Sequence, residues 1–242
     1  MNLLFRSVLV IFVLLNFGGC AMTPEERMAT YEPGGKLAYT SILGNSFGVV
    51  VTGTTIFNND SNQFDVSDWR IDEKITDEII NSSKDSKFEF ERLSDLDSFK
   101  LSLISKGSAE PNILLQDVKE QGADFLVVLV PERQAYTHQG DFFNNSTTQY
   151  LKGFGITKLS KLGNELKTSI YSSVKTYIYD LNSMEEIGSS QTVGMRFSKV
   201  LHQTKFDNLK KDDAIKTKEE LLDMMATQAK NQLRDLWLCG CW

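Results

Sequence analysis

The chain has 242 residues, of which 41% are hydrophobic, 24% charged and 10% aromatic, the composition of one globular domain or two small ones and not of a disordered, collagen-like or multi-span membrane protein. Lys and Arg number 26 against 32 Asp and Glu, a net charge of −6, so there is no cationic excess to neutralise a phosphate backbone and nucleic acid is not an expected partner. The three cysteines are too few for a disulfide scaffold and stand at the ends of the chain, as Cys20, Cys239 and Cys241.

Met1 to Arg6 carries one cation, and Val8 to Leu15 (VLVIFVLL) is an unbroken apolar run followed by Asn16-Phe17-Gly18-Gly19-Cys20. At about 1.5 Å per residue so short a run cannot cross roughly 30 Å of hydrocarbon as a helix, but it suits the apolar core of a secretory signal. The small pair Gly18-Gly19 ahead of Cys20 resembles the lipobox of bacterial lipoproteins, in which the cysteine is thioether-linked to diacylglycerol. That resemblance implies lipidation at Cys20, with palmitate-like acyl chains whose buried methylenes contribute about 0.8 kcal/mol each to membrane attachment. Ala21 follows the cysteine where Asp would signal inner-membrane retention, so the resemblance further implies the outer membrane, with the chain facing the periplasm. No later stretch is apolar enough for a transmembrane helix.

Thr23 to Leu43 contains Pro24, Pro33, Gly34 and Gly35 and holds no sustained period. The expected division is therefore a signal peptide over 1–19, a lipidated N-terminus and tether over 20–43, and one domain over 44–242. Phe47 to Phe57 (FGVVVTGTTIF) predicts a buried strand and Asn58 to Asn62 a polar turn. A helix capped by Asp65 or Ser67 should follow, because Ile71, Ile75 and Ile79 recur at intervals of four. Phe88 to Leu93 alternates as a half-buried strand, and Pro111 starts a short helix through Val118 that Gly122 ends. Ala123 to Val130 (ADFLVVLV) predicts a strand at the centre of a sheet, stopped by Pro131, and Gln134 to Gly153 a long loop or hairpin.

Two long strands are expected next. Ser169 to Leu181 sets Ile170, Val174 and Ile178 on one face against Tyr171, Lys175, Tyr177 and Tyr179 on the other, and Glu186 to Phe197 follows the turn Asn182-Ser183-Met184. In the last helix Thr217 and Glu220 form a capping box ahead of Leu222, Met225, Ala226, Ala229, Leu233, Leu236 and Trp237 at helical spacing.

Few residues suggest catalysis. Gly44-Asn45-Ser46-Phe47-Gly48 matches the G-x-S-x-G nucleophile elbow, which needs a strand entering the turn and a helix leaving it. Here a strand is expected to leave, and the histidines His138 and His202 lie in a polar loop and a charged segment, so a serine hydrolase using Ser46 is the lesser alternative. Gly153-Phe154-Gly155 lacks the third glycine of a phosphate loop and predicts a kink in a strand. The carboxylates of Asp72 to Glu78 and Asp212 to Glu220 are assigned to helix faces and starts. Two separated histidines and two terminal cysteines make no tetrahedral set, so neither a metal nor a cofactor is expected. Cys239-Gly240-Cys241 is read first as a local disulfide closing the helix end, with intermolecular pairing and a redox or metal role as the alternatives.

The elements in order make an α/β fold, an α+β sandwich in which helices pack on one mixed sheet and a long helix closes the chain. Phe88-Glu89-Phe90-Glu91-Arg92-Leu93-Ser94-Asp95-Leu96, Gln121-Gly122-Ala123-Asp124-Phe125-Leu126-Val127 and Val174 to Asn182 (VKTYIYDLN) resemble strands and turns of one superfamily. It contains the curli-secretion lipoprotein, the N-terminal domain of TolB and the lipoprotein activators of penicillin-binding proteins. The resemblance implies a non-enzymatic periplasmic module that binds envelope proteins, in export, wall synthesis or a surface appendage, and it supplies no catalytic residue. Expected contact residues are Phe142, Phe143 and Tyr150, with Tyr136, in the aromatic loop, and Tyr171, Tyr177 and Tyr179 on an exposed strand face. Self-association and a small ligand in the crevice between sheet and helices are kept as alternatives.

Overall fold

The computed structural model describes residues 34–52, 60–84, 86, 88–93, 111–139, 146–159, 168–198, 201 and 211–236. Along them run β1 (Lys36–Ser41), β2 (Ser46–Thr52), β3 (Asp60–Asp65), a 3-10 turn (Ser67–Trp69), α1 (Ile71–Ser82), β4 (Glu89–Arg92), α2 (Pro111–Glu120), β5 (Phe125–Pro131), β6 (Arg133–Gln139), β7 (Ser146–Leu159), β8 (Thr168–Asp180), β9 (Glu185–Phe197) and α3 (Lys211–Asp235). This is the mixed sheet with packed helices and a long closing helix that the order of predicted elements implies.

The sheet is organised on β8. β9 lies antiparallel along one of its edges, from Ser169↔Phe197 to Asp180↔Glu185. Its other edge is shared end to end, because β7 occupies Thr168 to Ser173 and β5 occupies Val174 to Asp180. Two wings grow from these halves: β1 pairs in parallel with β5 and with β4, while β2 pairs in parallel with β7 and antiparallel with β3.

Each face has its own apolar layer. On one, Ile170, Val174 and Ile178 of β8, with Tyr39, Phe47, Val127 and Phe154, meet Ile71, Ile75 and Ile79 of α1 and Leu221, Met225, Ala229 and Leu233 of α3. On the other, Ala38, Leu126, Val128, Val130 and Tyr179 meet Leu114, Leu115 and Val118 of α2. β5 contributes to both and is buried from Phe125 to Val130, which is why its sequence is a continuous apolar run.

Four expectations about elements are corrected. Residues 36–41, placed in the tether, form β1 between β5 and β4. Leu37, Ala38 and Tyr39 are buried on both sides of the sheet, so this six-residue strand has no alternation to mark it beside Pro33-Gly34-Gly35. Neither Asp65 nor Ser67 caps α1: its N-cap is Arg70 at φ 51°, with no side-chain cap, and the Asp65 carboxylate instead accepts from the Ser67 amide at 3.3 Å and hydroxyl at 3.0 Å. Thr217 lies inside α3, where its hydroxyl donates to the Ala214 carbonyl at 2.8 Å; the polar first turns of that helix conceal its start at Lys211. Asp60, Ser61 and Asn62, expected in a polar turn, open β3 and pair antiparallel with Val51, Val50 and Val49 of β2, whereas β5 does end at Pro131.

Candidate functional site

Within Gln134 to Gly153, expected as loop or hairpin, β6 and the start of β7 pair antiparallel on an unusual mount. β7 pairs with β6 over Ser146 to Lys152 and with β8 over Gly153 to Lys158, and Gly153 at φ 65° stands at the change of partner, in the left-handed region that glycine reaches without a Cβ penalty. Gln149 and Thr157 show how sharply the strand turns there. Eight residues of straight strand span about 27 Å, yet the Thr157 hydroxyl donates to Gln149 Oε1 at 2.8 Å. The β6–β7 ribbon therefore folds back over the sheet as an arm.

The arm has a dry side and a wet side. Gln149 and Leu151 alternate inward and are buried. Tyr150 points outward and is 61% exposed, with the Arg133 guanidinium 4.8 Å from its ring centroid and the Thr137 and Thr148 hydroxyls 3.2 Å apart on the same side. A cation over an aromatic face at that distance is favourable by about 0.5–1 kcal/mol at an exposed site, which holds the ring in place without covering it.

Beneath the arm two paired positions of the sheet carry no side chain. Gly48 of β2 is opposite Gly155 of β7, which is opposite Tyr171 of β8. A Cβ on Gly48 would lie 2.2 Å from the Tyr171 hydroxyl oxygen, and one on Gly155 would lie 1.9 Å from the Gly48 carbonyl oxygen. The Tyr171 ring lies across these bare positions, as an aromatic ring protects cross-strand glycines, on the face that Gly155 shares with Thr157 and so under the arm. Tyr171 is 1% exposed, and burial raises its phenol well above the ordinary value.

The exposed tyrosine face expected on β8 is thus corrected. Tyr171 is covered, and Tyr179 is buried in the α2 layer, where burial, the Glu186 carboxylate and Tyr177 all raise its phenol. Tyr177 is half-buried against the same layer, stacked on Tyr179 at 6.2 Å with Lys175 Nζ 4.2 Å from its ring centroid. Of the named contact residues, Tyr150 is the one on open surface among the described residues, and Tyr136 is half-buried. Phe142, Phe143, Cys20, Cys239, Cys241 and His202 lie outside the described residues.

The Gly44 to Gly48 turn leads from Ser46 straight into β2 and not into a helix. A residue that the sequence leaves on a helix face, Asp72, holds this turn. Its carboxylate accepts from Ser41 Oγ at 2.6 Å, the Leu43 amide at 2.6 Å and the Gly44 amide at 3.0 Å. Desolvation raises the Asp72 carboxyl above its ordinary value, against the pull of these three donors. Tyr39 lies fully buried beside it, its phenol raised by desolvation and then by the Asp72 charge, and its hydroxyl has no hydrogen-bond partner among the described residues.

The long helix meets the sheet through amides as well as apolar groups. Gln232 accepts from Thr176 Oγ1 at 2.6 Å and donates to Val174 O and Thr192 Oγ1, both at 3.1 Å. Gln228, one turn earlier, donates to Ser172 O at 3.3 Å and Thr192 Oγ1 at 3.2 Å. On the outer side of the layer, α1 and α3 leave a groove of about 470 Å³ lined by Lys74, Glu78, Asp223 and Lys230 among others, with Lys230 and Glu78 paired at 2.8 Å. Among the described residues, no three or more His, Cys, Asp or Glu side chains cluster closely enough to hold a metal, and no helix is long and apolar enough to cross a membrane.

No protein-family model and no curated protein sequence matches the chain. Among solved structures it is similar to the hypothetical protein CT253 from Chlamydia trachomatis, with a TM-score of 0.37 and 14% identity over 84% of this chain and 93% of that one. It is also similar to protein XCC0632 from Xanthomonas campestris, described under the family model DUF330, with a TM-score of 0.36 and 10% identity over 84% and 92%. A third similarity is to lipoprotein GNA1162 from Neisseria meningitidis, with a TM-score of 0.32 and 9% identity over 83% and 99%. Overlaps this loose carry no function across to the chain.

Proposed function

We propose that the protein is a lipid-anchored envelope component, held on the outer membrane at Cys20 and facing the periplasm, that works without catalysis by contact with other proteins of an export, wall-synthesis or surface-appendage complex. The observation that supports contact as its mode of action is the folded-back arm. A strand that bends to lay Leu151 and Gln149 on the sheet while presenting Tyr150 and Arg133 outward is a rigid mount for an aromatic and a cation, the residue types that dominate binding energy at protein interfaces. The supports for the anchor are the apolar run and the Gly18-Gly19-Cys20 sequence.

A photo-crosslinking amino acid at position 150 of the full chain, activated in intact cells, is expected to capture a discrete envelope protein that Tyr150→Ala no longer co-purifies. Crosslinks no different from those at exposed Asn81 on α1, across the sheet from the arm, together with an unchanged co-purification profile for Tyr150→Ala, would refute the arm as the contact surface. Metabolic labelling with a palmitate analogue, lost in Cys20→Ser, tests the anchor separately.

A further inference from the structure

The sheet has an edge that its other borders do not resemble. β3, β4, β6 and β9 each have one strand neighbour among the described residues. The first three are six, four and seven residues long, and short edges are one means by which proteins avoid pairing with strangers. β9 has thirteen residues, about 43 Å of strand. Its central stretch Gly188-Ser189-Ser190-Gln191-Thr192-Val193-Gly194 holds no charge and no proline, the devices that usually guard a long edge. Its charges stand at the ends, Glu185 and Glu186 at one and Arg196 at the other.

We infer that β9 is a self-association edge, on which a second copy of this chain pairs antiparallel about a two-fold axis through Gln191. The charges and the bulge of β9 select this partner and this register. Ile178 is opposite Gly188 but Tyr179 is opposite Glu186, so Ile187 is an extra, bulged residue. Counting outward from a Gln191↔Gln191 pair, Ser190 meets Thr192, Ser189 meets Val193 and Gly188 meets Gly194 of the copy. Past the bulge Glu186 meets Met195, and Glu185 meets Arg196.

The last pair also shares a face. Arg196 is on the α3 side, 3.0 Å from Asp223 and bonded to Glu220 O. Glu185 is opposite Asp180, which is opposite Phe125 of that same layer. The dyad therefore places two acid–base pairs symmetrically, whereas parallel pairing sets Glu185 and Glu186 against their own copies, and like charges directly opposite destabilise a strand pair. Isologous pairing of this kind closes at two subunits and continues the sheet without a new edge. α3 sits astride β8 and β9 through Gln228 and Thr192; at a strand spacing of about 4.8 Å the two α3 axes come about 10 Å apart, a spacing at which helices pack.

Cysteine scanning in intact envelopes tests this with the full lipid-bearing chain, carrying Cys239→Ser and Cys241→Ser to remove background thiols. Opposed strand residues have Cα atoms about 4.5–5.5 Å apart, within disulfide range. Gln191→Cys is expected to give a disulfide-linked dimer on oxidation, and Ser189→Cys alone none, whereas co-expressed Ser189→Cys and Val193→Cys chains link to each other. In detergent, Glu185→Lys and Arg196→Glu should each lower the dimer fraction severalfold by sedimentation velocity, and mixing the two variants should restore it, which a folding defect would not allow. A monomeric wild-type chain at all concentrations, crosslinking that ignores position, or failure of the mixed variants to recover dimer would overturn the inference.

Discussion

Gly48→Ala is the most exacting test of the packing under the arm. The added Cβ would stand 2.2 Å from the Tyr171 hydroxyl oxygen, and its next neighbours, Tyr171 Cζ at 3.4 Å and Phe154 O at 3.6 Å, are in ordinary contact. One atom is therefore responsible for the collision. Tyr171 is held under the arm at 1% exposure and cannot swing into solvent, so the substitution is expected to cost about 1–3 kcal/mol, the usual range for forcing a methyl group into a packed interior. The lower backbone entropy of alanine in a strand returns at most about 1 kcal/mol of that. Tyr171→Phe removes the offending oxygen and leaves the Cζ contact. The double variant should recover most of the loss, giving a coupling energy of about 1–2 kcal/mol in a double-mutant cycle. Urea unfolding followed by circular dichroism on the full chain measures all four corners. Gly155→Ala supplies the contrast, because its Cβ meets the Gly48 backbone carbonyl at 1.9 Å, an atom that no side-chain change removes; its loss should be larger and should persist with Tyr171→Phe. A neutral Gly48→Ala, or one whose cost Tyr171→Phe leaves untouched, would refute the placement of the ring over the glycine pair.

Asp72→Ala leaves the Ser41 hydroxyl and the Leu43 and Gly44 amides without their acceptor and is expected to cost about 2–4 kcal/mol in the same assay, since hydrogen bonds to charged groups are worth about 1.5–3 kcal/mol and a buried donor left unpaired adds its desolvation. Because burial raises the Asp72 carboxyl in the folded state, its contribution is full below the unfolded value of about 3.9 and is lost as pH rises through the raised folded value. The gap in stability between wild type and the non-titrating Asp72→Asn should therefore narrow from acid toward neutral pH, and a gap that widens would contradict the burial. Gln232→Ala removes the acceptor of Thr176 and the donor to Val174 O and Thr192 and should cost about 2–3 kcal/mol, lowering the melting temperature by several degrees in a domain of this size, whereas Lys230→Ala, whose pair with the half-exposed Glu78 lies on the surface, should change it little.

The elements most legible in the sequence are those whose environment is uniform along their length. β5, covered on both faces, is a plain apolar run, and α1 and the second half of α3 present one stripe each to the sheet. β1 is also covered on both faces, but six residues bearing Thr40 and Ser41 are too short and too polar for a run to stand out. β8 misleads for a different reason. Its alternation of Ile170, Val174 and Ile178 with Tyr171, Lys175, Tyr177 and Tyr179 has the pattern of a strand with one wet face, yet its burial is nearly continuous, because the far side is covered by α2 at one end and by the arm at the other. Nothing local in the sequence of β8 encodes a cover supplied by β6 and the first half of β7. The signal that could have found it is the glycine pattern, Gly48 and Gly155 on two apolar strands with Gly153 two residues before: two bare positions for a ring to cross and one left-handed residue to turn the strand over it.

That dependence joins the arm to the core. Tyr150 is displayed only while Leu151 and Gln149 stay buried, and Gln149 is tied to Thr157, on the face that carries Gly48, Gly155 and the Tyr171 ring. Both strands of the arm leave β8 at adjoining positions, β6 following the Glu132–Ser173 bond and β7 departing at Gly153↔Ser173, so the arm pivots on about one residue of the sheet's central strand. A partner that pulls on Tyr150 must therefore either peel the dry side from the sheet, breaking the Thr157–Gln149 bond and exposing Leu151, or load β8 at Ser173. Opposite Ser173 on the other edge is Val193 of β9, two residues from the two-fold axis inferred for a second copy. The proposed contact surface and the inferred self-association edge consequently lie on the two sides of one β8 position, Ser173.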